Sequence, residues 1–185
     1  VVTLGMDPTR PAILYAGTSG GVYKSADQAG HWEKVNNGLV PADMVKTSRA
    51  LNVTSVLVDP YEPDTVYAAT LAGLYKSTDA AASWKRIGES LTDQMIIAMA
   101  LDRTRKGVIY ITGRDGVHRS IDGGTTWTSI NNGFATTNIR TIAQSPSDPK
   151  LFYAGTNGSG LYRSKDVGET WESMPPLYAG NEMRP

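Results

Sequence analysis

Most of the residues that could do chemistry in this chain recur at fixed spacing. Ser120, Asp122, Gly124 and Trp127 fall in the octad Ser-Ile-Asp-Gly-Gly-Thr-Thr-Trp, and the same spacing returns at Ser25, Asp27 and Trp32, at Ser77, Asp79 and Trp84, and at Ser164, Asp166, Gly168 and Trp171. All four tryptophans of the chain occupy one position of this pattern. A short carboxylate can accept hydrogen bonds from backbone N–H groups one to three residues ahead, and a Ser hydroxyl can share that network. The octad therefore reads as a carboxylate holding a tight hairpin, with an indole opening the returning strand. An acidic metal or catalytic site is the competing reading, but a motif copied four times is expected to be scaffold. Ala29 and Ala81 replace the octad glycine in the first two copies. A positive φ there would cost each about 1 kcal/mol, so these two turns are expected to be altered or less well held.

Outside the octads the acids are scattered. Hydrolysis of a glycosidic bond needs two carboxylates, about 5 Å or about 6.5–9.5 Å apart. Asp115, Asp43 and Asp93 are the candidates. They come from different repeats, and spacing alone assigns none of them to catalysis. His31 stands at the Thr position of one octad and His118 at a strand position held elsewhere by Tyr, so both read as substitutions in a scaffold. With no Cys and no His cluster, neither a metal site nor a cofactor is expected. No Gly-Lys-Ser/Thr loop opens a helix to hold phosphate.

The chain has 185 residues, enough for one domain with a core. Its 18 basic and 18 acidic residues cancel, which argues against a nucleic-acid or anionic-membrane partner. The lack of Cys removes disulfides and thiol nucleophiles but leaves the compartment open. No apolar run approaches the length of a membrane span. The first residues lack a signal-peptide profile and do not begin with Met, so a mature or excised piece of a longer product is expected.

The elements that must position these residues come from stacking the repeats. Tyr15, Tyr67, Tyr110 and Tyr153 form one column, at intervals of 52, 43 and 43 residues. Gly-Val-Tyr-Lys-Ser at 21–25 is matched at 73–77, 116–120 and 160–164. Each period holds four short strands rich in β-branched and aromatic residues, read in the second repeat as 54–58, 65–69, 74–77 and 84–87. The predicted fold is all-β: a β-propeller of four four-stranded antiparallel blades, with the octad in each third-to-fourth strand turn. The ring is expected to be open, partial or assembled from more than one chain. The domain spans 1–185, with repeats at 1–39, 54–91, 95–134 and 139–174, a long inter-blade loop at 36–53 and a tail at 175–185.

In such blades the first-to-second connections share one face with the octads. The opposite face carries the second-to-third turns and the inter-blade links, and a ligand is expected there. Its candidate binding residues are Asp43, Lys46 and Arg49 of the long link, and Ser19, Arg114, Asp115 and Asn157 of the turns.

The four octads, with Val/Leu-Tyr-Lys/Arg-Ser leading into three of them and Val-His-Arg-Ser into the fourth, resemble the Asp-box (BNR) repeats of sialidases, xyloglucanase-type glycoside hydrolases, sortilin-like receptors and photosystem II assembly factors. The resemblance implies a glycan or a protein as partner, with a lean toward an extracytoplasmic setting. In the xyloglucanase type it implies a catalytic Asp in a turn reading Thr-Asp-x-Gly-Gly. This chain has Thr18-Ser19-Gly20-Gly21 there, with Leu71 and Asn157 in equivalent slots and a carboxylate only at Asp115. The Arg-Ile-Pro signature of sialidases is missing. The expected function is a non-catalytic scaffold that binds carbohydrate or protein, ahead of part of a glycoside hydrolase whose acids are incomplete here. A homo-oligomer completing the propeller is a further expectation.

Overall fold

Alternation of apolar and polar residues, punctuated by Asp-Pro and Gly-rich turns, folds each repeat into one antiparallel sheet, and the two inner sheets are covered on both faces. The computed structural model describes residues 1–40, 50–91 and 95–175, and the backbone of 178–179 and 182–183. Sheet 1 runs β1 (Thr3–Met6), β2 (Leu14–Thr18), β3 (Gly21–Ser25), β4 (Glu33–Lys34), and sheet 2 runs β5 (Val53–Val58), β6 (Val66–Thr70), β7 (Gly73–Ser77), β8 (Lys85–Ile87). Sheet 3 is β9 (Ile96–Leu101), β10 (Ile109–Gly113), β11 (Gly116–Ser120), β12 (Thr128–Ser129), and sheet 4 is β13 (Ile139–Gln144), β14 (Phe152–Thr156), β15 (Leu161–Ser164), β16 (Glu172–Ser173). A 3-10 turn, Glu89–Leu91, follows β8, and β17 (Tyr178–Ala179) pairs with β18 (Glu182–Met183).

The sheets stack in sequence through three apolar interfaces. Tyr15 and Val22 of sheet 1 meet Val56, Val66 and Tyr75 of sheet 2. Tyr67 and Leu74 of sheet 2 meet Ile109 and Ile111 of sheet 3. Tyr110 and Val117 of sheet 3 meet Ile142, Phe152 and Tyr162 of sheet 4. Their first strands pack side by side, β1 on β5, β5 on β9 and β9 on β13, but β13 does not pack in this way on β1. The result is an open arc of four sheets. A bulge breaks the first pairing of sheets 2, 3 and 4, at Val53/Ser55, Thr112/Gly113 and Ile139/Thr141, and sharpens the twist near the axis.

The first-to-second connections carry a turn device of their own. Asp7 is buried, and its Oδ1 accepts from the backbone N–H of Thr9 and Arg10 at 2.9 Å each. Asp102 repeats this with Thr104 at 2.9 Å and Arg105 at 3.0 Å, and Asp59 with Tyr61 at 2.8 Å. These loops bond to the octad turns, as in Gln28 N to Ala12 O and Ala80 N to Asp64 O. Both kinds of turn therefore lie on one face of the arc. Around that face Arg10 pairs with Asp64 at 2.7 Å, Lys106 with Glu62 at 2.6 Å, and Gln144 Oε1 accepts from Arg103 N at 2.8 Å.

Candidate functional site

In all four octads the Ser hydroxyl donates to the Asp Oδ1 at 2.7–2.8 Å. The same hydroxyl accepts from the N–H four residues on, at Ala29, Ala81, Gly124 and Gly168. The carboxylate accepts the N–H of His31, Ser83, Thr126 and Thr170, also four residues ahead, one step beyond the reach expected from Asx turns. Its second oxygen takes the side chain of that residue: His31 Nδ1 at 2.6 Å, Ser83 Oγ at 2.6 Å, Thr126 Oγ1 at 2.6 Å and Thr170 Oγ1 at 2.5 Å. Side-chain hydrogen bonds from Ser83 and Thr126 lead in drawing Asp79 and Asp122 down to about 2, and the His31 contact leads in lowering Asp27. These carboxylates are held ionised by their own hairpins. Ala29 and Ala81 adopt φ of 72° and 71° beside 93° at Gly124 and 91° at Gly168. The two alanine turns are thus not altered: they keep the same bonds and carry the strain.

The octads of sheets 2 and 4 also join the preceding sheet. The carbonyl just after the Asp, at Ala80 and at Val167, accepts the hydroxyl of Tyr15 and of Tyr110 from the preceding sheet, at 3.3 and 3.1 Å. Lys24 Nζ reaches the first at 3.0 Å and Arg119 Nη1 the second at 3.4 Å. Burial pushes Tyr15 up to about 12, so its hydroxyl stays a donor. The indole N–H of Trp84 bonds Val35 O at 2.7 Å and that of Trp171 bonds Ile130 O at 2.9 Å, whereas Trp127 turns to its own Gly124 O at 3.0 Å.

Asn36-Asn37-Gly38 and Asn131-Asn132-Gly133 are a staple that repeat-by-repeat inspection of the octads passes over. The first Asn grips the second-to-third turn of its own sheet: Asn36 Oδ1 accepts Val22 N at 2.8 Å and Asn131 Oδ1 accepts Val117 N at 2.7 Å. The second Asn offers its backbone carbonyl to the backbone N–H of the tryptophan on the next sheet, Asn37 O to Trp84 N and Asn132 O to Trp171 N. Recurrence of Asn-Asn-Gly was the signal in the sequence. The link after sheet 2 lacks it, and there a groove of about 460 Å³ opens beside Trp127, with Arg86, Glu89 and Thr126 in its lining.

On the face opposite the octads, Ser19, Arg114, Asp115 and Asn157 are exposed at turn tips. Arg114 and Asp115 share one turn, Ser19 and Asn157 belong to sheets 1 and 4, and no hydrogen bond or ion pair joins any two of the four side chains among the described residues. Asp43, Lys46, Arg49 and Asp93 lie outside the described residues. The turn holding Asp115 differs from the other three. Thr18, Thr70 and Thr156 close theirs by donating to Gly21, Gly73 and Gly160 carbonyls at 2.9, 3.2 and 2.9 Å, but Gly113 stands in that place in sheet 3. Nearby, Thr112 Oγ1 is buried without a hydrogen-bond partner among the described residues. Burial holds His118 below the usual imidazole range, with Asp115 acting the other way.

A concavity larger than the groove beside Trp127 lies at the axis on the octad face. It measures about 560 Å³ and is lined by first strands and their loops, including Met6, Leu57, Met99, Arg103 and Gln144. None of its lining residues is acidic. Among the described residues, no group of three or more His, Cys, Asp or Glu gathers as a metal site, and no helix is long and apolar enough to cross a membrane.

Four stacked four-stranded sheets, each clasped at its third-to-fourth turn, superpose on known propellers. An ancestral GH74 enzyme matches 97% of this chain and 24% of its own with a TM-score of 0.76 at 23% identity. The fold is that of a β-propeller, and the four sheets are its blades. YCF48 bound to D1 peptide matches 93% of the chain and 54% of its own with a TM-score of 0.66 at 16% identity. Among curated proteins, a xyloglucanase of Hypocrea jecorina (strain QM6a) is 26% identical over 165 residues, covering 86% of this chain. The chain spans only 19% of that relative's length. No protein-family model matches the propeller chain.

Proposed function

We propose that this propeller is a non-catalytic binding module that takes a carbohydrate or a protein on the face opposite the Asp-boxes. The observation that carries the reading is the single carboxylate among the four second-to-third turns: Asp115, one residue beyond the position held by Ser19, Leu71, Arg114 and Asn157. Glycoside hydrolysis asks for two. The acid-free lining of the axial cavity agrees with this, and exposed Arg114 and Asn157 supply the donors and acceptors by which a face holds a polar ligand. The xyloglucanase relative makes a xyloglucan oligosaccharide the first ligand to test.

Isothermal titration of the chain with xyloglucan oligosaccharides is expected to give binding that weakens roughly tenfold, about 1.4 kcal/mol, in Arg114→Ala and in Asn157→Ala. Affinity unchanged in both variants would remove the site from this face. A second reading, part of a larger glycoside hydrolase to which other repeats bring the missing acid, is favoured by the same relative and the small share of its length that this chain spans.

A further inference from the structure

The chain holds three Asn-Gly pairs, Asn37-Gly38, Asn132-Gly133 and Asn157-Gly158. Asparagine is among the thermally labile residues, and in such a pair its side chain can react with its own backbone. The nitrogen of the following residue attacks the side-chain Cγ, and glycine, having no Cβ, leaves that approach open. Closure needs the Asn-Gly peptide to turn about the Asn Cα–C bond, which swings the Asn carbonyl with it. Whatever holds that carbonyl, or packs on the glycine, opposes the reaction.

Two of the pairs are held in this way. The carbonyls of Asn37 and Asn132 accept from the backbone N–H of Trp84 and Trp171. Gly38 and Gly133 lie so close beneath the carbonyls of those tryptophans that no side chain would fit. Turning either peptide would break a bond between sheets.

Asn157-Gly158 stands in the second-to-third turn of blade 4, which is longer than its counterparts. Thr18 and Thr70 close their turns on the carbonyl three residues ahead, whereas Thr156 closes on Gly160, four ahead. In blades 1 and 3, Asn36 and Asn131 grip the turn through Val22 N and Val117 N and leave no room beside Gly21 and Gly116. Pro175 holds the equivalent place in blade 4 and has no amide side chain to offer. Nothing lies within 4 Å of where a Cβ would stand on Gly158 or Gly160. Asn157 N is anchored on Asn138 O, but among the described residues no hydrogen bond engages the Asn157 side chain, its carbonyl or the Gly158 N–H. The groups that restrain the turns of blades 1 and 3 belong to the same blade as the turn, so this openness comes from blade 4's own sequence.

We propose that Asn157 is a site of spontaneous deamidation in the folded protein. The Gly158 nitrogen gives its proton to solvent base and bonds to Asn157 Cγ. The bond from Cγ to the side-chain nitrogen breaks, ammonia leaves, and a five-membered succinimide remains. Water then opens the ring at either carbonyl to an aspartyl or an isoaspartyl residue. One water enters, one ammonia departs, and one negative charge is added to a chain whose 18 basic and 18 acidic residues cancel. The product is a second turn carboxylate, besides Asp115, on the face proposed for the ligand, although the chemistry stands whether or not a ligand binds there.

Incubation of the purified chain at mildly alkaline pH, read by isoelectric focusing and by mass-spectrometric peptide mapping, tests this. The expected result is an acidic species one charge away from the starting protein, mapped to residue 157 with isoaspartate among its products, while Asn37 and Asn132 keep their amides. In urea all three sites are expected to convert, because only the fold sets them apart. Asn157→Gln, whose longer side chain would have to close a six-membered ring, is expected to abolish the acidic species. An Asn157 that keeps its amide in the folded chain overturns the proposal, and so does conversion of the three sites at equal rates in the folded chain.

Discussion

The residue that organises each hairpin is an aspartate whose oxygens are consumed by its own turn. Asp79 and Asp122 sit at about 2 because of hydrogen bonds led by Ser83 and Thr126, below the ordinary value of about 3.9 in an unfolded chain. A carboxylate depressed on folding stabilises the fold above its unfolded value and ceases to do so as pH falls through its folded one. Denaturant midpoints are therefore expected to stay level from pH 7 to about 5 and to fall between about pH 4 and about pH 2. A midpoint unchanged down to pH 2 would contradict the clasp. The two alanines at positive φ give a second test. Ala29 is exposed, so Ala29→Gly is expected to stabilise by about 0.5–1 kcal/mol through relief of strain, less the entropy of the glycine. Ala81 buries its methyl, worth about 0.8 kcal/mol, so Ala81→Gly is expected to lie near zero in the same melts. The sequence showed that these positions break the pattern. It did not show that the same φ would be enforced, because the hydrogen bonds that the alanine N–H groups donate to Ser25 and Ser77, not the residue's own preference, set it.

Elements were legible where a column repeats and obscure where a contact crosses between repeats. Strands read at 54–58 and 74–77 fall at Val53–Val58 and Gly73–Ser77, since alternation and turn residues are local signals. The Asn-Asn-Gly staple was invisible as a device, because its partners, Trp84 and Trp171, lie on another sheet. Gly133 shows what the staple demands: at φ 99° an added Cβ would lie 2.0 Å from Trp171 O. Gly158, at φ 97°, has nothing within 4 Å. Gly158→Ala is expected to lose about 1 kcal/mol by strain alone, and Gly133→Ala about 3 kcal/mol or more because a sheet interface must also part. Equal losses in urea unfolding would mean that the close approach carries no energy.

At the scale of the whole molecule, four copies of one clasped hairpin become an arc through the apolar interfaces between successive sheets, to which the boxes of blades 2 and 4 add a carbonyl and a packed indole. That much follows from the period and the box. The placement of the axial cavity does not: sequence reasoning set the octad face aside, and the concavity opens there because the first strands converge behind apolar side chains such as Met6 and Met99. The candidate residues of the other face were legible as turn tips, and Ser19, Asp115 and Asn157 stand there on separate blades with no bond between their side chains. Such a face can hold a ligand by several small contacts without assembling a pair of acids. The measurement that bears most directly on this account is product release from a panel of β-glucans by the purified chain. The account predicts binding with no products, and no difference in Asp115→Asn. Products that appear with the wild type and vanish in Asp115→Asn would contradict it.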